Sequence, residues 1–176
     1  MCSSDLGLRT DDGADHEFDV IIYGTGFQAS HFLAPMRVTG CDGTDLHENW
    51  AGEPRAYLGV TVPHFPNLFC LYGPNTNIVL NGSIIYFSEC GVRYLLGCLR
   101  LLAAGTSRSI EVRESVHDEF NAAVDAANEG MAWGASSAAS WYKNASGRVT
   151  QNWPFTLLEY WQRTLAPEPD DYVLGD

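Results

Sequence analysis

The sequence is poor in basic residues, and this shortage limits the partners it is suited to. Lysine and arginine together number 10 against 22 aspartates and glutamates, which gives a formal net charge of −12 at pH 7. Nucleic-acid binding depends on neutralising phosphates with clustered basic side chains, whereas the basic residues here are scattered along the chain. We therefore exclude nucleic acid as a partner and regard the acidity as a contribution to solubility.

Metal-ligand patterns are also missing from the sequence. The five cysteines form no C-x-x-C pair, and the five histidines show neither H-x-x-x-H nor a cysteine at zinc spacing. We expect no metal site, and we expect reduced cysteines that serve as small apolar residues.

The sequence has neither a secretory leader nor an uncharged apolar run of membrane length. Met1 is followed by no basic segment and no apolar segment of the kind that a signal peptide contains. The longest apolar stretch, residues 84–105, carries Glu89, Arg93 and Arg100 on one stripe, which is typical of an amphipathic helix rather than a membrane span. We expect a cytoplasmic protein with no membrane partner.

The most informative stretch that is present lies at residues 18–27, where an apolar segment predicted as a buried strand runs into a glycine turn. Residues 24–29 satisfy the dinucleotide pattern G-x-G-x-x-G/A. That pattern requires a helix at its second glycine and an acidic residue after the next strand, but Pro35 would end the helix after about two turns. Residues 38–45 then have turn composition, so an ordinary strand-to-loop turn in an α/β domain is the simpler interpretation.

A second apolar stretch, residues 65–72, predicts another buried strand, with a turn at residues 73–76. An amphipathic helix is predicted to start at residues 81–83 and to end at Gly105. Two strands would then bring glycine-containing turns to one edge of a sheet, where ligands of open α/β sheets bind.

Several segments, in order along the chain, are similar to one enzyme family. Residues 19–27 resemble the late strand-turn motif of flavin-containing and Baeyer–Villiger monooxygenases, and residues 65–77 resemble the stretch that follows it. The carboxyl-terminal end of the 4-hydroxyacetophenone-monooxygenase branch is similar at Ser140-Trp141-Tyr142, Gly147-Arg148, Trp153-Pro154 and Tyr160. The resemblance extends over about residues 7–172.

Departures from the family pattern are as informative as the matches. Position 24 is glycine where alanine is usual, which opens more room at the turn. The amino-terminal Gly-rich turn that binds FAD in the family, the second turn that binds NADPH and the arginine that supports the flavin chemistry have no counterpart in these 176 residues. The resemblance therefore implies about the last third of a longer enzyme, inactive by itself, whose missing amino-terminal part is its partner.

The resemblance also implies an α/β fold class and a division of the chain. We expect a non-native or disordered start at residues 1–6. Residues 7–106 should form the carboxyl-terminal part of a three-layer, Rossmann-like FAD/NAD(P)-binding domain, with a hairpin, two strands and the long helix. Residues 107–176 should form a helical, aromatic-rich region with a loop around residues 134–151.

Within the helical region, side-chain types predict caps and buried faces. Ser115 is suited to cap the first helix. The last helix should bury Leu157, Leu158, Trp161 and Leu165. The acidic, proline-containing tail should lie on the surface, with Tyr172 and Val173 docking back onto the protein.

The family reaction uses NADPH to reduce FAD, captures O₂ and inserts one oxygen atom beside the carbonyl of a ketone. By resemblance, this chain supplies the outer wall of the flavin site, with backbone N–H groups of residues 73–76 directed toward the cofactor. No catalytic acid, base or nucleophile is assigned. Trp141 is interpreted either as a packing anchor or as part of a mobile loop near the nicotinamide. The predicted cofactor-binding residues are Gly24, Thr25, Gly26, Phe27, Gly73, Pro74, Asn75, Thr76 and Trp141.

Two other classes of function stay open from the sequence. A different flavoprotein, such as an N-hydroxylating monooxygenase or a disulfide-reductase relative, would also carry a strand that ends in Thr-Gly. Alternatively, the chain is a folded non-catalytic remnant or a partner-binding subunit, whose core-like surface needs a cover. The residues do not distinguish ketone oxygenation from sulfur or nitrogen oxidation.

Overall fold

The structure is a computed structural model that describes residues 3–4, 7–78, 82–135 and 140–176. Five α-helices occur in this part of the chain: α1 Leu46–Trp50, α2 Ile84–Ala104, α3 Glu114–Glu129, α4 Ala132–Ala135 and α5 Leu157–Arg163. The strands are short: β1 Ser3–Ser4, β2 Gly7–Arg9, β3 Asp15–Glu17, β4 Ser109–Val112 and β5 Tyr172–Gly175. The fold is therefore mixed α/β with few strands.

Two small antiparallel sheets contain all five of these strands. The first has the order β1-β2-β3, and the β2–β3 hairpin turns through residues 10–14, where Gly13 has a φ of +85°. The second pairs β4 with β5, so that Ile110 lies opposite Leu174. Residues 1, 2, 5 and 6 of the expected disordered start lie outside the described residues.

Residues 18–27 differ from the sequence prediction, because they form no strand and are not buried. Val20 is 74% exposed, Ile22 89% and Phe27 93%. Within the described part of the chain, no backbone hydrogen bond joins this segment to a neighbour. A β-strand requires hydrogen bonds to a neighbouring strand. The apolar pattern of residues 18–27 predicts that side chains are buried, but it does not show which strand would lie beside them.

Residues 65–72 also differ from the predicted strand, although part of the segment is buried. Phe65 and Cys70 belong to the interior, and the Cys70 amide donates to the Val60 carbonyl oxygen at 2.7 Å. Asn67 and Tyr72 have φ values of 62° and 58°, which no extended strand accommodates. The segment is therefore a partly buried chain of turns, in which Phe65 and Cys70 lie in the core and Leu71 is exposed.

Helix α2 forms the centre of the main core and follows its predicted course. It ends at Ala104, and the Gly105 amide bonds to the Leu102 carbonyl oxygen as the cap. Its start was predicted at residues 81–83, of which residue 81 lies outside the described residues. Around α2 packs an aromatic cluster that includes Phe87, Tyr94, Phe120, Trp153, Tyr160 and Tyr172.

Two details of the other helices differ from the predictions. Arg113 occupies the N-cap of α3, so Ser115 lies inside the first turn instead of capping it. In α5 the Thr156 hydroxyl caps the helix by accepting from the Glu159 amide. The helix then turns Tyr160 into the core, where its ring stacks on Phe87 at 4.3 Å. The predictions for Leu158 and Leu165 are wrong, because both are exposed and Leu165 lies beyond the end of α5.

Strand β5 brings Tyr172 into the interior, whereas Val173, which was also expected to dock, is exposed. The Tyr172 hydroxyl shares hydrogen bonds with the Tyr94 hydroxyl at 2.9 Å and with the Thr61 hydroxyl at 3.3 Å. A second, smaller core lies beside α1 and consists of Leu46, Trp50, Ala56, Val62 and Phe65. Among the described residues, no helix combines the length and the apolar character that a membrane crossing needs.

We expect Gly59→Ala to destabilise the protein by about 2–4 kcal/mol, since it combines a steric clash with backbone strain. A Cβ at position 59 would lie 2.1 Å from Thr76 Cγ2, and Gly59 has a φ of +70°. Gly24→Ala is the matched control, because a Cβ there meets nothing within 4 Å. Urea unfolding followed by circular dichroism measures both variants, and equal midpoints would contradict the tight contact.

Stability should fall at alkaline pH. Burial raises the pKa of Tyr94 and Tyr172 well above the ordinary value of 10.0, and it raises the pKa of the Cys98 thiol to about 11. Because the folded state keeps these protons longer than the unfolded state, their contribution is complete below about pH 9 and is lost as the pH rises. Each buried tyrosine should cost up to about 1.4 kcal/mol per pH unit above about 10.

Urea titrations between pH 8 and pH 11 measure this loss. Tyr172→Phe removes one titrating hydroxyl and should make the stability less dependent on pH, whereas Tyr23→Phe alters an exposed ring and should not. A wild-type stability that stays constant to pH 11 would show that these hydroxyls are not buried.

Candidate functional site

One short segment, residues 149–152, pairs with the second predicted turn. The Asn75 amide donates to the Thr150 carbonyl oxygen at 2.9 Å, and the Asn77 amide donates to the Gln151 carbonyl oxygen at 2.8 Å. The Trp153 amide returns a bond to the Asn77 carbonyl oxygen at 2.8 Å. The two segments run in the same direction. Residues 75–77 and 150–153 therefore form a parallel, strand-like pair across a sequence separation of about 75 residues.

The same segment also holds the chain that follows the first predicted turn. The Gln151 side chain donates to the Ala29 carbonyl oxygen at 2.8 Å, and the Ser30 and Thr150 hydroxyls lie 2.8 Å apart. Because Ala29 is two residues beyond Phe27, the first turn is anchored to the same segment as the second. The structure thus connects both predicted turns to residues 149–152, the second turn directly and the first through Ala29 and Ser30.

The first turn presents bare backbone to the outside. Residues 22–28 are all exposed. A Cβ built at Gly24 or at Gly26 meets no atom within 4 Å, and Gly26 has a φ of +78°, which a side chain would strain. The glycines therefore leave an open backbone surface with no contact inside the described chain.

The second turn is buried, in contrast to the first. Gly73, Pro74, Asn75 and Thr76 are all interior, and the Thr76 hydroxyl donates to the Gly73 carbonyl oxygen at 2.7 Å. A Cβ at Gly73 would lie 2.4 Å from the Gly59 carbonyl oxygen. Glycine is required here for close packing of two backbone segments, and the Asn75 amide points at Thr150 rather than outward.

The Asn75 side chain is also used within the chain. Its amide nitrogen donates to the carbonyl oxygens of Val149 at 2.9 Å and Asn152 at 3.2 Å, and its oxygen accepts from Arg148 at 3.3 Å. Asn75 has a φ of 57°, a conformation that asparagine tolerates better than most residues. The side chain therefore fixes the turn to residues 148–152.

Trp141 lies on a hairpin that leads directly into residues 149–152. The indole is 53% exposed, and its centroid lies 4.4 Å from that of the Tyr142 ring, with the two planes tilted by 41°. The Thr150 amide donates to the Tyr142 carbonyl oxygen at 3.0 Å, and Lys143 pairs with Val149. All the predicted site residues therefore lie on segments that converge on residues 149–152, and Trp141 is one of the exposed members.

Sequence reasoning missed a group of charged residues beneath this site. The buried Arg148 guanidinium donates from Nε to Asp125 at 2.8 Å and from Nη1 to the Pro54 carbonyl oxygen at 2.9 Å. Arg55 binds the other Asp125 oxygen at 2.7 Å. Burial lowers the pKa of Arg148, and the opposite charge of Asp125 counteracts that effect. The Gly147-Arg148 match was a signal for Arg148, but no sequence pattern links it to Asp125.

Buried amides form a second feature that the sequence did not reveal. Asn152 accepts from the Asn77 side chain at 2.9 Å, and its carbonyl oxygen accepts from the Asn128 side chain at 3.2 Å. The Asn152 Nδ2 atom is buried and has no hydrogen-bond partner among the described residues. Over the same residues, the structure contains no cluster of three or more side chains suited to a metal ion.

No family profile matches the sequence. Individual relatives do match. The FAD-binding monooxygenase ktnD of Aspergillus niger is 38% identical over 172 residues, which is 96% of this chain and 28% of the relative. A Baeyer-Villiger monooxygenase of Pseudomonas aeruginosa is 37% identical over 149 residues, which is 84% of this chain and 28% of the relative.

A solved structure supports the same assignment at the level of fold. Cyclohexanone monooxygenase from Rhodococcus sp. Phi1, bound to NADP+, superposes with a TM-score of 0.72 at 22% identity. The match covers 97% of this chain and 33% of the cyclohexanone monooxygenase chain. This chain thus spans a third or less of the length of the proteins it matches. In sequence and in fold, this chain is similar to part of the FAD-binding and Baeyer–Villiger monooxygenases.

Proposed function

We propose that this chain is part of an FAD- and NADPH-dependent monooxygenase that inserts one oxygen atom from O₂ into a ketone, and that it is inactive alone. The observation that carries the proposal is the exposed apolar segment at residues 18–27, which ends in an open glycine turn. Such a segment fits a strand whose sheet partners belong to the remainder of the enzyme, in a three-layer, Rossmann-like domain.

The first turn fits the approach of a flavin nucleotide. A cofactor can approach a backbone closely only where side chains are absent, and nothing in the described chain occupies the space above Gly24 and Gly26. When bound, FAD and NADPH would supply the redox chemistry, while the protein would orient them and exclude water. In this proposal residues 24–27 contact the FAD directly.

The other predicted residues divide the remaining work. Residues 73–76 form the rigid floor beneath the cofactor, since their side chains and the Asn75 amide are engaged within the chain. Trp141 offers an exposed indole on the hairpin that leads into residues 149–152, and in this proposal it contacts the nicotinamide part of NADPH. No residue of this chain is assigned an acid, base or nucleophilic role.

The partner in this proposal is the remaining two-thirds of the same enzyme. Besides residues 18–27, helix α2 turns a row of apolar side chains outward, namely Ile85, Val92, Leu96 and Leu99. Contiguous apolar surface of this kind marks an interface. A non-catalytic subunit with another partner would use the same surface, but the names of the relatives favour a Baeyer–Villiger enzyme over that alternative and over an N-hydroxylating flavoprotein.

A chimaera tests the proposal. We would replace the matched segment of the Pseudomonas aeruginosa enzyme with this chain and measure bound FAD and ketone-dependent NADPH oxidation. We expect both to be retained. Gly26→Val should reduce FAD occupancy at least tenfold, because it fills the open turn. Gly13→Val is the matched control, since Gly13 also has a positive φ and open space around it but lies in the β2–β3 hairpin.

The isolated chain provides the second part of the test. In a flavin fluorescence titration it should show negligible affinity for FAD, because most of the pocket would come from the remainder of the enzyme. Micromolar binding with turnover by the 176-residue chain would contradict the proposal. A chimaera that folds but holds no FAD would contradict it as well.

A further inference from the structure

We propose that Arg148 is a positioning residue that fixes the Trp141 loop, residues 140–149, against the turn at residues 73–76. The inference rests on the proposed function for its consequence, but its geometric content concerns this chain alone. Arg148 would not touch cofactor or substrate, and would act through Asn75 on one side and through the loop on the other.

The first observation is that one guanidinium binds three separate parts of the fold. Its Nε atom reaches Asp125 on α3, Nη1 reaches the Pro54 carbonyl oxygen, and Nη2 reaches Asn75 Oδ1 at 3.3 Å. The planar fork of arginine sends its N–H groups in several fixed directions. A lysine ammonium, as a point charge on a flexible stem, cannot reproduce these three contacts together.

The second observation is that Asn75 binds both Arg148 and the two residues that follow it. Its side chain accepts from Arg148 and donates to the carbonyl oxygen of the adjacent Val149. Its backbone amide bonds to Thr150. Since Asn75 lies at the centre of the predicted turn, any displacement of Arg148 changes the position of that turn.

The third observation concerns the stem of the loop. The Arg148 amide donates to Asn144 Oδ1 at 2.9 Å, and the Asn144 amide donates to the Arg148 carbonyl oxygen at 3.0 Å. The Lys143–Val149 pair closes the same stem, and Trp141 stands at its beginning. Arg148 therefore lies in the paired stem of the loop that carries the exposed Trp141 indole.

Arg55 supplies a matched comparison within the same charge cluster. It binds the second oxygen of Asp125 at 2.7 Å, but its side chain makes no hydrogen bond to Asn75 or to the Trp141 loop within the described residues. A purely electrostatic role for the cluster would make the two arginines equivalent, whereas a positioning role singles out Arg148.

Amide hydrogen exchange in the isolated chain, measured by NMR, tests the difference. In Arg148→Lys we expect exchange at the Asn75 and Thr150 amides to accelerate at least tenfold, with less than a twofold change at Tyr94 in α2. Arg55→Lys should leave all three within twofold. A 5-fluorotryptophan resonance, assigned with Trp141→Phe, should shift in Arg148→Lys and stay in place in Arg55→Lys.

A second variant covers the case in which Arg148→Lys fails to fold. Asn75→Gly keeps the positive φ and removes the acceptor of Nη2 together with the donor to the Val149 and Asn152 carbonyl oxygens, so the Thr150 amide and the Trp141 resonance should respond as above. The inference is overturned if a folded variant leaves these signals unchanged, or if Arg55→Lys changes them equally.

In the active chimaera, Arg148→Lys should raise KM for NADPH about tenfold while kcat changes less than threefold. An inactive chimaera would count against the proposed function, and the exchange data would still decide the role of Arg148.

Discussion

The structure depends on the parallel pairing of residues 75–77 with residues 150–153. Three backbone hydrogen bonds, from Asn75, Asn77 and Trp153, join segments that lie far apart in the sequence. The pair also holds two other parts of the chain. The Gln151 side chain binds Ala29, and the Thr150 amide binds Tyr142 in the Trp141 loop. One short ladder thus replaces the sheet that the sequence led us to expect at the site.

Most of the buried polar groups of this ladder are hydrogen-bonded, largely by asparagine side chains, and Asn152 Nδ2 is the exception noted above within the described residues. Asn75, Asn77 and Asn128 each direct an amide at residues 149–152. A buried network of this kind specifies one arrangement, because every lost partner leaves a polar group desolvated. The paired Arg148 and Asp125 follow the same logic, although Asp125 is partly exposed and is also bound by Arg55.

The sequence predicts helices and glycine turns here better than strands. Periodicity in residues 84–104 gives α2, because a helix satisfies its own backbone and only its faces depend on the rest of the fold. Residues 18–24 and 65–72 have equally apolar sequences, yet neither forms a strand. A strand needs a hydrogen-bonded neighbour, and the local sequence does not show whether one is present. The contact of Arg148 with Asp125, 23 residues away, is invisible for the same reason.

The two glycine turns look alike in sequence but have opposite surroundings, and this contrast separates their roles. At Gly73 the missing Cβ makes room for the Gly59 backbone, so glycine there serves packing within the chain. At Gly24 and Gly26 the missing Cβ makes room for nothing that the described chain contains. Glycine lowers the stability of the folded state because it loses more conformational entropy on folding than other residues. At the open turn, no packing contact within the described chain offsets this loss. In the function proposed above, an external ligand contacts the backbone of the open turn, and the buried turn holds residues 149–152, to which Ala29 and Ser30 are bound.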